Sequence, residues 1–300
     1  MKLKIFSNFR NPDTDPFFEN LRNKFGNAPI TIFHDIFPKS NSDLSINPYN
    51  FLLLQEPNEF FGLHDDALVN NNLFTCIITW SDLICKRCDN SILFTHNGRS
   101  LDFDFINNIK NTQKTFEVSF LCGTKKIVAG HKLRHSVYEV GTSVNIPKKW
   151  NYVMDDYDHN NDVRPGYPAY SKDLSHIPKD IDIIGYGRRS LYEKSMYNIV
   201  IENVNHLNWY NKIGDSFLAN AIPIYWGCPN IEDFGYSERG IIRFGNEHEL
   251  VDILNNLTAE VYHDMMPYIE HNYQIAIRDE LYGNFDIIIN EFLKLNNINI

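Results

Sequence analysis

The sequence predicts an α/β protein built as two sheet-and-helix domains. Short apolar runs of strand length alternate with helical segments through the first part of the chain, and the same alternation restarts near Phe116. A length of 300 residues suits two domains of ordinary size, and 43% apolar with 14% aromatic content is enough to bury a large core.

KLKIFSNF, APITIFHDIF, NFLLLQEP, LFTCIITW and SILFTH are rich in Ile, Phe, Leu and Thr and are bounded by Asn, Pro, Asp and Gly, which marks them as strands. PFFENLRNKFG and WSDLICKRC carry helical spacing between them, so the first sheet is expected to be parallel. From Phe116 onward FEVSFLCG reads as a strand, HKLRHSVYEVG as a basic helix ending at Gly141, and IDIIGYG and YNIVIEN as strands. NKIGDSFLANA then reads as a helix, and IPIYWG and GIIRF as further strands. Asn151 to Pro178 is polar, aromatic and proline-bearing without a period, and is read as a long surface excursion available to an acceptor. After His248 the pattern is helical through ELVDILNNLTAEVYHDMMPYIEHNYQIAI and FDIIINEFLKL, and these helices are expected to cap the second sheet. The domains are therefore set at 1–112 and 113–280, with 281–300 as a C-terminal helix. Ligands of open α/β sheets bind beyond the carboxyl ends of the strands, so a cleft between two such domains is the expected site.

A formal charge of −10 disfavours a nucleic-acid partner, because such proteins need a cationic surface to release phosphate counterions. A small anion needs only a local cluster of donors, since charges beyond about 10 Å are screened. No run of eighteen apolar residues occurs, and Met1 to Asn8 lacks the layout of a signal peptide, so a soluble cytoplasmic protein with no integral membrane segment is expected. The cysteines Cys76, Cys85, Cys88, Cys122 and Cys228 are odd in number and unevenly spaced, which favours free thiols.

The densest chemical cluster runs from Tyr197 to Asp233. A strand ends in Glu202 and Asn203, and a helix begins around Tyr210 to Lys212. That order aims backbone N–H groups, a positive helix end and a lysine at one point, which suits phosphate, while a strand-end carboxylate suits ribose hydroxyls. Spacing alone favours an ordinary strand-to-helix turn with a solvated lysine.

Ile201 to Asn203 and Ile222 to Pro229 are the residues by which this stretch resembles the donor-binding region of the α1,3-fucosyltransferase family, in its bacterial form. There a Phe-Glu-Asn-Ser strand end leads to a Tyr-x-Thr-Glu-Lys helix start and an IPIYWG-like strand. FLCGTKKIVAGHKLRHSV and IDIIGYG extend the likeness weakly upstream, so it covers about residues 116–260 and is specific between 199 and 234. The resemblance implies a GT-B-like fold of two Rossmann-like domains and inverting transfer of fucose from GDP-fucose to a glycan or glycolipid acceptor. It also implies no essential cofactor or metal, with a divalent cation at most stimulatory. By position, Arg134 and Lys212 would neutralise the donor pyrophosphate, and Glu202, Asn203, Tyr210 and Asn211 would shape the nucleotide or sugar pocket. The base would be Glu56, which directly follows a strand in LLLQEPNEF, with Glu59 as the alternative; each also fits a solvated loop carboxylate. The family's Glu before the lysine is Asn211 here, and its Thr and Tyr positions read Tyr210 and Asn208. These departures leave open another nucleotide-sugar donor or an inactive carbohydrate-binding relative.

Weaker signals are Asp102-Phe103-Asp104, Asp156-Tyr157-Asp158 and Asp180-Ile181-Asp182, the spelling of a divalent-ion motif, of which only Asp156 and Asp158 sit in a polar loop. Cys85 and Cys88 form a lone C-x-x-C without a second pair at zinc spacing. His131 and His135 lie four apart on the basic helix, facing either donor phosphates or solvent, and Gly185-Tyr186-Gly187 is a turn.

Overall fold

A computed structural model of the chain describes residues 2–8, 10–94, 112–123, 125–141, 144–153, 192–282 and 285–298. It divides into two compact units, Met1–Leu101 with Asp279–Ile300, and Asp102–Arg278.

The first unit holds a five-stranded parallel sheet in the order β1 (Lys4–Ser7), β2 (Ile30–His34), β3 (Tyr49–Leu54), β4 (Cys76–Thr79) and β5 (Ser91–Leu93). Every residue of β2 is buried, as are all of β3 except Tyr49, because helices cover both faces of a parallel sheet. The two-residue period divides the side chains cleanly between them. Ile30, Ile32, Phe51, Leu53, Cys76 and Ile78 enter one core with Leu21 and Phe25 of α1 (Glu19–Phe25). Phe33, Leu52, Leu54 and Ile77 enter the other, with Ala67 of α2 (Leu63–Val69) and Ile84 of α3 (Asp82–Arg87).

The last helix, Phe285–Leu295, belongs to this unit. Its residues Phe285, Ile289 and Leu293, four apart, join the first core beside Ile5 and Phe18, and Lys24 Nζ meets Asp286 Oδ2 at 3.1 Å. The sequence reading had it cap the second sheet and set 281–300 apart. An apolar stripe shows that a helix is buried but does not say against which sheet.

The second unit carries a parallel sheet in the order β10 (Ile242–Arg243), β9 (Ile222–Trp226), β8 (Ser195–Ile201), β6 (Thr115–Gly123) and β7 (Lys148–Val153). β7 is a strand where the sequence suggested none, and it takes in the first residues of the expected excursion. Among the described strands it lies at the sheet edge, where lysines such as Lys148 are tolerated. IDIIGYG, the rest of the excursion, and the Asp102, Asp156 and Asp180 motifs lie outside the described residues. A buried chain from Ser119 Oγ to Asn198 Oδ1 (2.6 Å), and from Asn198 Nδ2 to Ser216 Oγ (3.0 Å), ties β6 and β8 to α5 (Ile213–Leu218). Tyr197 of β8 donates to Thr258 O at 2.7 Å, between the two helices Glu247–Asn256 and Ala259–Tyr282. These two helices do belong to the second unit, up to Arg278.

One feature of this topology positions the site. From β6 the chain goes to β7 on one side and later returns to β8 on the other, so the strand order reverses between β6 and β8. In open α/β sheets such a reversal opens a crevice at the carboxyl ends of the strands. Among the described residues no helix is long and apolar enough to cross a membrane.

Candidate functional site

At the reversal point four sequence-predicted residues meet. Arg134 comes from α4 (Ala129–Val140), the helix that follows β6, while Glu202 and Asn203 follow β8 and Lys212 stands just before α5. The Arg134 guanidinium is buried and grips the strand end, with Nε and Nη2 donating to Ile201 O at 3.0 and 2.7 Å. Nη2 also donates to Asn203 Oδ1 at 2.8 Å. Lys212 Nζ donates to the same Asn203 Oδ1 at 3.2 Å and lies 3.5 Å from Glu202 Oε2. Two cations thus converge on one amide oxygen. Nη1 of Arg134 has no partner among the described residues, so the guanidinium keeps donors beyond those that anchor it.

Glu202 does not behave as the sequence suggested. Its carboxyl is fully buried, and Oε1 accepts from the backbone N–H groups of Asn211 (3.0 Å), Lys212 (2.8 Å) and Ile213 (3.3 Å). The helix mouth expected to receive a phosphate is filled by the protein's own carboxylate, and that oxygen is taken from any ribose. The physical reason is the same one that suggested phosphate: exposed amides and a positive helix end attract the nearest anion, and here it lies on the adjacent strand. The carboxylate instead braces the loop that carries Lys212.

Two glycines make this possible. A Cβ on Gly130 would overlap the Glu202 carbonyl oxygen and stand 2.8 Å from that of Asn203, so α4 starts in direct contact with the end of β8, and Gly130 N donates to Asn203 O at 2.9 Å. A Cβ on Gly227 would overlap Glu202 Cγ and come 2.5 Å from Tyr225 Oη, which explains the glycine after IPIYW. Sequence reasoning missed both roles, because it began the helix at His131 and so left Gly130 outside it, whereas the helix starts at Ala129.

Tyr210 is turned inward, with its ring 5.2 Å from Phe234 and 5.9 Å from Tyr236, in a buried aromatic cluster. Asn211 is half-buried and joins the node through its backbone N–H. His131 is buried, and its imidazole is pushed down to about 2, first by burial and then by the charges of Arg134, Lys212, Lys125 and His135. It is a neutral group in a positive field. His135 Nε2 donates to Lys125 O at 3.2 Å. All five cysteines are free thiols, and burial raises the affinity of Cys85 and Cys88 for their protons. No group of three metal-ligating side chains occurs among the described residues.

The first unit has its own polar cluster at the carboxyl ends of its strands. Ser7 closes β1 and His34 closes β2, and Ser7 Oγ bonds His34 Nδ1 at 2.9 Å. His34 Nε2 bonds Gln55 Oε1 at 2.9 Å. Asp35 Oδ1 accepts from the N–H groups of Gln55 (2.8 Å) and Glu56 (3.1 Å). Burial, followed by the charge of Arg10, holds His34 down at about 4. Burial, followed by the charge of Glu56, lifts Asp35 to about 8. At neutral pH this pair, 3.5 Å apart, is therefore two neutral groups and not an ion pair. Glu56 is half-buried at this edge and its carbonyl accepts from His64 Nε2 at 3.1 Å, whereas Glu59 is exposed on a short helix, Asn58–Phe61.

No family model and no curated protein matches the chain. Among solved structures it is similar to Anabaena Alr3699/HepE in complex with UDP and glucose, at 12% identity and a TM-score of 0.51, over 87% of this chain and 77% of that one. It is also similar to a trehalose-6-phosphate protein from E. coli bound with UDP-2-fluoro glucose, at 8% identity and a TM-score of 0.51, over 88% of this chain and 72% of that one. Likeness at these identities shows the fold: each unit is a Rossmann-like domain of the GT-B type.

Proposed function

We propose that the chain is an inverting glycosyltransferase that holds a nucleoside-diphosphate sugar at the reversal point of the second sheet. In this reading the donor is GDP-fucose and the acceptor a hydroxyl of a glycan or glycolipid. The observation that carries it is the convergence of Arg134 and Lys212 on Asn203, at the position where open α/β sheets bind phosphorylated ligands. The family resemblance of residues 199–234 supports fucose.

In the reaction the acceptor oxygen forms a bond to the anomeric carbon while the bond from that carbon to the diphosphate oxygen breaks on the opposite face. Glu56 takes the acceptor proton, and the nucleoside diphosphate leaves with the bonding electrons. Charge grows on the phosphate oxygens as it leaves, so two cations fixed before the reaction stabilise the transition state more than the ground state. Arg134 is fixed by its three hydrogen bonds and Lys212 by the Glu202 brace. With two cations in these roles the reading needs no essential metal, and a divalent cation would only stimulate.

A second reading keeps the fold and uses a uridine-diphosphate sugar. Asn211 stands where the resembled family has Glu, and both similar solved structures contain UDP or a UDP sugar. Calorimetric titration with GDP, GDP-fucose and UDP separates the two. GDP and GDP-fucose are expected to bind, and Lys212→Ala to weaken both. Tight binding of UDP in place of GDP selects the second reading. Slow hydrolysis of the bound sugar nucleotide in the absence of acceptor argues against an inactive relative, and binding of no nucleotide overturns the assignment.

A further inference from the structure

Asp35 is under a constraint that packing does not explain. It follows the last residue of β2, is 1% exposed, and holds φ at 46°, in the left-handed region that few residues other than glycine enter. Its Oδ1 gathers the N–H groups of Gln55 and Glu56. Its Oδ2 is buried without a hydrogen bond among the described residues, because the nearest donor, His34 Nε2, is committed to Gln55 Oε1. A positive φ and a dry carboxylate oxygen together, at the carboxyl edge of a parallel sheet, call for a functional account.

We propose that Asp35 is a positioning residue for Glu56, fixing the Gln55–Glu56 peptide through Oδ1 and coupling electrostatically to the Glu56 carboxyl group. This rests on the reading of Glu56 as the base of a transferase. The Glu56 peptide is then held from both sides, its N–H by Asp35 and its carbonyl by His64. The groups facing Asp35 are Glu56 after β3, Arg10 after β1 and His34 on β2. Burial and the charge of Glu56 keep the proton on Asp35 against the two N–H bonds to Oδ1, which favour its ionised form, and against Arg10, which is paired with Asp15 at 3.2 Å; His34 is neutral. Glu56 is half-buried at the same edge. When Asp35 loses its proton, near pH 8, the second negative charge raises the proton affinity of Glu56 and makes it a stronger base.

The test is the pH profile of kcat from about pH 6 to about 9.5 for the wild-type protein, Asp35→Asn, Asp35→Ala and Glu56→Ala, with thermal melts over the same range. Asn offers the same amides an oxygen acceptor and tolerates positive φ, so Asp35→Asn keeps the fold. The wild-type rate is expected to rise several-fold through pH 8, and Asp35→Asn to lack that rise with an unchanged donor KM. Asp35→Ala, which releases the peptide, is expected to lose at least about tenfold in kcat with donor KM unchanged. The melting temperature of Asp35→Asn should gain on the wild type as pH rises toward 8, a readout that needs no substrate. A profile for Asp35→Asn that superimposes on the wild type overturns the proposal, as does full activity in Glu56→Ala. If the wild-type protein transfers sugar from no nucleotide donor, the transferase reading falls. The melts then decide the protonation of Asp35, and a pH-independent difference between the two proteins overturns it.

Discussion

Gly130→Ala adds one methyl group where α4 meets the end of β8. The new Cβ would overlap the Glu202 carbonyl oxygen and lie 2.8 Å from the Asn203 carbonyl oxygen, where 3.4 Å begins ordinary contact. The obstructing atoms are backbone, so no rotamer change relieves them, and the helix must withdraw by at least 0.6 Å on the Asn203 side and further on the Glu202 side. Withdrawal stretches the 2.9 Å bond from Gly130 N to Asn203 O and pulls Arg134, one turn further along the same helix, off Ile201 O and Asn203 Oδ1. Overpacking alone costs about 1–3 kcal/mol, and the weakened bonds to a buried cation bring the total to about 3 kcal/mol or more. In a unit of this size that corresponds to a fall of roughly 6–12 °C in melting temperature. Urea and thermal unfolding of the whole chain measure the cost, and calorimetric titration with nucleotide is expected to show affinity reduced by at least about tenfold. A loss under about 1 kcal/mol with undiminished nucleotide affinity would refute the reasoning, because Arg134 would then not depend on the tight approach of the helix.

Glu202→Ala deprives three N–H groups and Lys212 Nζ of a buried partner, and urea unfolding should register about 3–5 kcal/mol; a loss below about 1 kcal/mol would show that water replaces the carboxylate. Lys212→Ala keeps the three N–H bonds to Glu202 but removes the cation beside Oε2, and should lower kcat/KM by about 100-fold in steady-state assays, by analogy with the loss of one transition-state donor, with a thermal melt reporting the cost of the lost ion pair. Glu56→Ala is expected to reduce kcat by about 10²–10⁴-fold while donor affinity measured by calorimetry stays the same. The pair at the end of β2 also dictates a pH dependence of stability. His34 is held at about 4 in the fold against an ordinary 6.5, so its contribution is present above pH 6.5 and lost as pH falls toward 4. Asp35 is held at about 8 against 3.8, so its contribution is lost as pH rises from about 4 to about 8, and the two slopes cancel up to pH 6.5. Denaturant titrations should show the gap between wild type and His34→Gln constant above pH 6.5 and closing by about 3 kcal/mol toward pH 4; a gap that closes only above pH 6.5 would reverse the assignment.

The interior strands were legible because a parallel sheet covered on both faces writes itself as an unbroken apolar run, as in NFLLLQEP and YNIVIEN. β7 was not, since KKWNYV opens on two lysines that a sheet edge accepts. That Arg134 and Lys212 come together was legible by position, but their shared partner Asn203 and the destination of Glu202 were not. Spacing put its carboxylate at a strand end, while its inward turn to the N–H groups of 211–213 depends on a side-chain path that Gly227 leaves clear. Tyr210 read as a pocket residue because it occupies a position of the resembled helix-start motif, yet an aromatic ring finds more to bury against Phe234 and Tyr236 than against a solvated ligand. Asp35 carried no signal, since neither a positive φ nor an unpartnered oxygen is written in the residue type.

The helix Phe285–Leu295 seated among Ile5, Phe18 and Leu21 imposes an order of assembly. During synthesis the strands β1 to β5 leave the ribosome first with α1, but the part of their apolar face that Phe285, Ile289 and Leu293 cover stays open until those residues emerge. Residues 102–278 emerge in the interval, so the later-encoded unit can reach its native state before the earlier one does. The nascent chain thus carries an unfinished core across the whole translation of the second unit.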